Sequence, residues 1–154
     1  MTIPSTHDTI IWRLHVRSSP EKVFALLDSD AGRASFWAES AIERDGVIHF
    51  EFINGMRDEA RILERNPPRR FAIKYFGSRV VFDLDPASTS GGGGGGGGGT
   101  DLTMTNTGFD PADRDDLLPG WLNVLFPLKA AADFGIDLRS HDPTRTWEKG
   151  FVDQ

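Results

Sequence analysis

Alternation of apolar and polar residues is the dominant pattern of this chain up to residue 107. From Ile10 to Val16 every second residue is apolar, while Arg13 and His15 lie between them. A period of two places successive side chains on opposite faces of a strand, so this segment predicts a strand with one face in the core. Five later segments are interpreted as strands too: residues 47–53, 56–64, 71–76, 79–85 and 101–107.

Turn residues between these segments predict how the strands connect. Asp45-Gly46 and Asn54-Gly55 accept the positive φ angles of tight hairpin turns, and they bracket the second strand. Proline donates no hydrogen bond to a sheet, so Pro67-Pro68 ends the next strand. The following hairpin turns at Gly77-Ser78. The sequence therefore predicts an antiparallel meander.

Two short helices are predicted after the first strand. Ser19 is a good N-cap, and Pro20 suits the first helical position, where its missing N–H is not needed. The buried stripe of this helix would consist of Val23, Phe24, Leu26 and Leu27. Asp30 is expected to cap the second helix, which ends near Phe36 and Trp37.

A long helix is predicted to close the chain, beginning between Asp110 and Leu117 and ending near Leu138. Its apolar stripe at helical spacing comprises Leu117, Leu118, Trp121, Leu122, Val124, Leu125, Leu128, Ala131, Ala132 and Ile136. Pro119 fits a first turn, whereas Pro127 would lie inside the helix and kink it. A long helix across a curved antiparallel sheet often leaves a hollow, which predicts a ligand cavity.

Nine consecutive glycines occupy residues 91–99. Glycine-rich segments behave as flexible coils, and a longer hairpin loop is entropically cheap, so the run is interpreted as a loop within residues 88–100. A phosphate-binding loop would need a helix N-terminus with Lys or Ser/Thr after it, which this sequence lacks. We expect one domain over residues 1–154, with a core at 10–138 and a tail at 139–154 that packs back through Trp147 and Phe151.

Composition excludes several classes of function. The 154 residues carry a formal net charge of -6 and no basic run, which argues against nucleic acid as a partner. The absence of cysteine removes disulfides, thiolate metal sites and cysteine nucleophiles. No apolar stretch approaches the 18 residues of a membrane span, and residues 1–8 are too polar for a signal peptide. We expect a cytoplasmic protein that does not interact with membranes.

Several local sequences, in this order and spacing, resemble the START/SRPBCC superfamily, whose helix-grip fold is shared with birch-pollen-type allergens. Within it the chain is similar to the branch of the C-terminal domain of the activator of the ninety-kilodalton heat-shock protein ATPase. The resemblance covers about residues 10–138 and is carried by residues 19–24, Phe36-Trp37, residues 63–71, residues 100–105 and Gly120-Trp121. It implies an α+β fold with a curved seven-stranded antiparallel sheet, two short helices, a long C-terminal helix and a cavity for an apolar ligand. The chain departs from this pattern at the glycine run, Pro127 and the tail.

The same parity argument selects the residues that face the expected hollow. Met56, Ala60 and Ile62 would point inward, together with three polar residues, Asp58, Tyr75 and Asn106. A register slip would instead send Asp58 outward, or these groups would meet only water. The candidate ligand-binding set is Trp12, Trp37, Phe50, Phe52, Asp58, Tyr75, Phe82, Met104, Asn106, Trp121 and Leu125.

The chemistry of these residues leaves several interpretations open. The four tryptophans either stack on a planar ligand or are core residues, and Trp121 is the best ligand contact. An inward Asp58 would have a raised pKa and could act as a general base. His15 and His49 fall on the outward face, and His7 and His141 lie near the termini, so no metal site is expected.

The leading hypothesis is a non-enzymatic protein that binds a small apolar or aromatic molecule, with no cofactor. One alternative is a cyclase-type or hydratase-type enzyme that uses Asp58 and Tyr75 as acid and base, so catalysis is left open. Another is a co-chaperone or stress-response module, and a chaperone partner is implied only by the family resemblance. A packed extension is the expected role of the tail, with a partner-binding segment around Arg145 and Trp147 as the alternative. A homodimer is compatible with all of these.

Overall fold

Seven antiparallel strands form one sheet in the computed structural model, which describes residues 8–88 and 98–154. In chain order the strands are β1 Thr9–Val16, β2 Ser40–Arg44, β3 Val47–Glu51, β4 Arg57–Asn66, β5 Arg70–Tyr75, β6 Ser78–Pro86 and β7 Thr100–Thr107. Across the sheet their order is β1-β7-β6-β5-β4-β3-β2. The strands from β2 to β7 therefore form a meander, and β1 pairs with β7 as the edge strand at its far side. The predicted antiparallel sheet is confirmed.

Three α-helices accompany the sheet in the described part of the chain: α1 Pro20–Asp28, α2 Asp30–Ala34 and α3 Arg114–Phe134. The N-cap of α1 is Ser19, whose hydroxyl accepts the N–H of Lys22, and Pro20 is the first helical residue, as predicted. The cap of α2 differs from the prediction by one residue, because Ser29 rather than Asp30 accepts the N–H of Gly32.

Asp30 does not cap α2 as predicted but forms hydrogen bonds with other residues. Its carboxylate accepts a hydrogen bond from the buried guanidinium of Arg33, at 2.6 Å, and one from the N–H of Glu43, at 2.9 Å. Arg33 also donates to the carbonyl oxygens of Leu27 and Ala41. This network joins α1 and α2 to β2, and it satisfies a charge that burial would otherwise make unfavourable.

The long helix ends earlier than predicted. Gly135 adopts a left-handed φ of 63° and caps α3, and its N–H bonds to the carbonyl of Ala131. Ile136 and Leu138, predicted near the helix end, are exposed residues beyond it. Pro119 and Pro127 both lie inside α3, which is continuous over its 21 residues.

Hydrogen bonds near both ends of α3 attach it to β1 and to the residues that follow β1. The carboxylate of Asp133 accepts the N–H groups of Arg17 and Ser18 at 2.9 and 3.0 Å, and the hydroxyl of Ser18 at 2.8 Å. Near the other end of the helix, the indole N–H of Trp12 donates to the carbonyl of Leu118. These bonds hold α3 across one face of the sheet, with the core between them.

The glycine run lies mostly outside the described residues, so the predicted loop is untested over residues 89–97. Gly99 at its end is described, and its φ of 84° favours glycine. A Cβ there would also lie 2.1 Å from the carbonyl oxygen of Val16, so glycine allows β7 to begin against the end of β1.

Candidate ligand-binding cleft

An open cleft of about 460 Å³ lies at one end of the sheet. One wall is the turn between β5 and β6, and another is the connection from β7 to α3. The first half of α3 and Trp147 from the tail complete it. Its lining is rich in aromatic side chains, namely Tyr75, Phe76, Phe109, Trp121 and Trp147. We call this space the mouth cleft.

A second and smaller space, of about 160 Å³, adjoins the mouth cleft. It is lined in part by Trp37, Phe52 and Asn123. Tyr75 and Trp147 line both spaces, so these two side chains stand at the boundary between them.

A buried polar network forms the floor of the mouth cleft. Asn106 is fully buried on β7 and accepts the indole N–H of Trp121 at 3.0 Å. Its amide nitrogen donates to the hydroxyl of Ser78 at 2.9 Å and to the carbonyl of Arg79 at 3.0 Å. Buried polar groups are stable when paired in this way, and here they fix the orientation of Trp121 against the sheet.

Tyr75 contributes a phenol between the two spaces. Its hydroxyl oxygen accepts the indole N–H of Trp37 at 3.2 Å. Burial raises the pKa of Tyr75, and the charge of nearby Asp58 raises it further, against the opposite effect of the Trp37 hydrogen bond. The phenol is therefore neutral near pH 7 and can serve as a hydrogen-bonding group.

Asp58 lies near Tyr75 and the turn between β5 and β6. It is opposite Phe50 in the register of β3 and β4, so it belongs to the inward face, and it is half-buried. One carboxylate oxygen accepts the N–H of Phe76 at 2.8 Å. Desolvation raises the pKa of Asp58, although this hydrogen bond acts in the opposite direction. The carboxylate holds the β5–β6 turn, in which Phe76 has a φ of 47°.

The middle of the expected hollow is filled by side chains. Trp37 contacts Phe50, Phe82 and Trp121, with ring centroids 5.0, 5.7 and 6.3 Å apart. Phe50, Phe82, Met104 and Leu125 are buried, and none of these four lines the two spaces described above.

Open space therefore lies at the end of the sheet, where it is lined by five members of the predicted set. Tyr75, Asn106 and Trp121 line the mouth cleft, and Trp37 and Phe52 line the smaller space. Trp12 is partly buried against α3. Met56, predicted to point inward, precedes β4 and is 50% exposed at the rim of the cleft, because the strand begins only at Arg57.

Trp147 is placed by contacts of the tail with the rest of the chain. Arg139 is buried and donates to the carbonyl of Ala38 at 2.7 Å and to that of Ala34. Farther along, Glu148 accepts a hydrogen bond from the side chain of Asn54. These contacts agree with the expected packing of the tail, although Phe151 is an exposed residue.

Trp147, Phe76, Phe109 and Gly120 line these spaces but are not in the candidate ligand-binding set predicted from the sequence. The sequence feature that could have indicated this site is Gly120, because a glycine in the interior of a helix is unfavourable unless packing or a binding site requires it. Gly120 lines both spaces, and a Cβ at this position would meet no atom within 4 Å.

The histidines give no metal centre in the part of the chain that the structure describes, where no group of three or more His, Cys, Asp or Glu residues could hold an ion. His15 pairs with Asp101, and His49 lies 3.7 Å from Glu59. His7 lies outside the described residues. None of the helices described at 8–88 and 98–154 is both long and apolar enough to span a bilayer.

Seven antiparallel strands gripping one long C-terminal helix define the helix-grip fold, and the resemblance seen in the sequence is confirmed at the level of fold. A protein from Staphylococcus saprophyticus has a TM-score of 0.70 and 22% identity, over 85% of this chain and 96% of that one. The Aha1 dimer from Colwellia psychrerythraea has a TM-score of 0.70 and 19% identity, over 82% and 97%. A Mesorhizobium loti protein has a TM-score of 0.67 and 18% identity, over 79% and 93%. The sequence matches no protein-family model and no curated protein.

Proposed function

We propose that this chain binds a small apolar or aromatic molecule in the mouth cleft, and that binding rather than catalysis is its function. The observation that supports this most is an open space of about 460 Å³ with aromatic walls and a buried polar floor at Asn106. Small-molecule pockets typically measure about 300–1,000 Å³ and combine apolar walls with a few polar groups. Burial of apolar ligand surface would contribute roughly 25 cal/mol per Å² before the losses of association.

Gly120 offers a direct test of this proposal. Because a Cβ at this position would meet no atom within 4 Å and Gly120 lines the cleft, we expect the larger side chain of Gly120→Leu to occupy part of the cleft. A helix-interior glycine is about 1 kcal/mol less favourable than alanine, so neither this variant nor the control Gly120→Ala should be less stable than wild type.

The measurement is a thermal shift followed by calorimetric titration with a panel of neutral apolar ligands that includes phenylbutanol. We expect the ligand to raise Tm in wild type and in Gly120→Ala but not in Gly120→Leu. A wild type that responds to no member of the panel would contradict the proposal, as would a shift that survives in Gly120→Leu.

The catalytic alternative receives less support from the geometry. Asp58 is hydrogen-bonded to the N–H of Phe76 and is not part of the lining of the mouth cleft. Tyr75, its supposed partner, already accepts a hydrogen bond from Trp37. A general acid or base must reach the reacting group of a bound substrate, and Asp58 does not line the cleft in which that substrate would lie.

Self-association is a separate proposal. One similar structure is a dimer, and here an apolar groove of about 340 Å³ runs along α3 and the tail. Phe126 is 56% exposed and Val152 is 71% exposed in the same groove, and contiguous exposed apolar side chains often mark an interaction surface. Sedimentation equilibrium should give twice the chain mass for wild type and a monomer for Phe126→Glu. A monomeric wild type at high micromolar concentration would rule out this proposal.

A further inference from the structure

The mouth cleft is asymmetric in charge. Asp110, Asp113 and Asp116 line the side where the β7–α3 connection leads into α3. Among the described residues that line the cleft, none is lysine, arginine or histidine. The whole chain also has a net charge of -6, so the local field and the overall field have the same sign. Such a cleft attracts cations and repels anions.

Two of these carboxylates are available to a ligand. Asp110 accepts the N–H of Ala112 and so caps the short 3₁₀ turn Pro111–Asp113. Asp113 precedes α3 without making a side-chain cap hydrogen bond, and Asp116 is exposed in the first turn of the helix. Placed three residues apart at a helix start, the two side chains lie on one face.

The aromatic residues of the cleft suit the same kind of ligand. Trp121 and Trp147 both line it, as do Tyr75, Phe76 and Phe109. The faces of aromatic rings attract ammonium groups, and tryptophan does so most strongly. Aromatic cages recognise ammonium ligands, and a carboxylate can add a charge-assisted hydrogen bond to an ammonium group that carries a proton. The aromatic walls therefore suit the apolar body of a ligand, and the acidic side of the cleft suits a cationic group on the same molecule.

We propose that the ligand of the mouth cleft is an apolar or aromatic molecule that carries an ammonium group. Its apolar body lies against the aromatic walls, and its cationic end faces Asp113 and Asp116. This assignment rests on the proposed binding function and adds the charge of the ligand to it. Charge complementarity selects this occupant over a fatty acid or another apolar anion, which the same carboxylates would repel.

The test compares three probes with the same apolar body: phenylbutylamine, phenylbutanol and phenylbutyrate. Calorimetric titration at low ionic strength should give an affinity for the amine roughly tenfold higher than for the alcohol, because each exposed ion pair and cation–π contact adds modestly. The carboxylate should bind most weakly. Added salt should reduce the preference for the amine and leave the affinity for the alcohol unchanged.

A matched pair of variants locates the effect. Asp115 and Asp116 both lie in the first turn of α3, but only Asp116 lines the cleft. Asp116→Asn should therefore lower the affinity for the amine, and Asp113→Asn/Asp116→Asn should lower it to the level of the alcohol. Asp115→Asn changes the net charge and the helix terminus equally, and it should leave the affinity for the amine close to that of wild type.

The outcomes separate this inference from the function on which it rests. Equal affinities for amine and alcohol, both lost in Gly120→Leu, would overturn the ammonium assignment while supporting the binding function. An equal loss of amine affinity in Asp115→Asn and Asp116→Asn would overturn it too, because the attraction would then come from overall charge. Binding of none of the three probes would overturn both proposals.

Discussion

Asn106 shows how one buried side chain can fix part of a binding site. It accepts the indole N–H of Trp121 and donates to Ser78 and Arg79, so no polar atom of its amide is left without a partner. Replacement by leucine would keep the approximate volume but leave the buried indole N–H unpaired. We expect Asn106→Leu to lower the free energy of unfolding by at least about 2 kcal/mol, as measured by urea denaturation.

A double-mutant cycle tests this explanation. Trp121→Phe removes the donor, so Asn106→Leu should be less destabilising in that background, with a coupling energy of about 0.5–3 kcal/mol. Strictly additive effects would mean that the hydrogen bond between the two side chains contributes little. The loss would then have to come from the contacts of Asn106 with β6.

Asp58 allows the structural and catalytic interpretations to be separated. Its carboxylate accepts the N–H of Phe76, and Asn can accept the same bond without the unfavourable desolvation that raises the pKa of Asp58. We expect Asp58→Asn to be as stable as wild type at pH 7. Asp58→Ala should lower the free energy of unfolding by about 1–2 kcal/mol, because the turn loses its hydrogen bond.

Asp58→Asn should retain ligand binding if Asp58 supports only the turn. Calorimetric titration with phenylbutanol checks this for Asp58→Asn, which keeps the turn intact. A large loss of affinity in that variant would show that the carboxylate itself reaches the ligand. Such a result would favour the acid–base hypothesis again.

At the scale of elements, the tail is held by charges that respond to pH. His141 has a φ of 53°, and its two ring nitrogens lie 2.6 Å from Glu39 and 2.7 Å from Asp137. The hydrogen bond to Asp137, and then the one to Glu39, raise the pKa of His141 above 6.5, while desolvation by burial and the charge of Arg139 oppose them. Protonated His141 is therefore favoured in the folded chain.

The sign of the pH effect follows from that direction. Because the folded pKa is the higher one, the contribution of His141 is complete below about pH 6.5 and is lost as pH rises through the folded value. We expect the indole N–H resonance of Trp147 to broaden or shift over this range in wild type. In His141→Gln the same resonance should not depend on pH between pH 6 and pH 9. If it titrates in this variant as it does in wild type, the transition belongs to another group.

Whether each strand or helix could be predicted from the sequence depended on how much of its pattern is local. Strands β3, β4 and β7 were predictable because apolar and polar positions alternate in them, and β5 and β6 because turn residues bound two short apolar segments. β2 was not identified by its pattern, because Ser40–Arg44 is short and contains one buried residue, Ala41. The seventh strand was implied only by the family resemblance. The end of α3 was misplaced because apolar Ile136 continues the spacing beyond the capping Gly135.

The site was predictable only where it depends on the sheet. Parity placed Tyr75 and Asn106 on the inner face, and the helical stripe placed Trp121 opposite them. Parity could not distinguish Phe50 and Phe82, which fill the core, from residues at its open end, because that depends on where the helix lies along the sheet. Trp147 was not in the predicted set because its position depends on the long-range contacts of Arg139.

At the scale of the whole molecule, the tail and the mouth cleft are linked through Trp147. Arg139 holds the tail by donating to Ala34 and Ala38, and Trp147 farther along forms part of the cleft wall. A ligand that contacts Trp147 binds best when the tail is docked. Its apparent affinity is therefore lowered by the fraction of molecules in which the tail is released, and binding must in turn favour docking.

Arg139→Ala should reveal this coupling. With the tail docked in only about a tenth of molecules, the affinity for phenylbutanol would fall roughly tenfold, although Arg139 is not part of the mouth-cleft lining. Hydrogen exchange of residues 140–154 should be fast in the free variant and slow again at saturating ligand. Arg145→Ala is the matched control, because Arg145 pairs with Asp142 inside the tail itself. Affinity that stays at the wild-type level while the tail exchanges freely would show that Trp147 covers the cleft without contributing to binding.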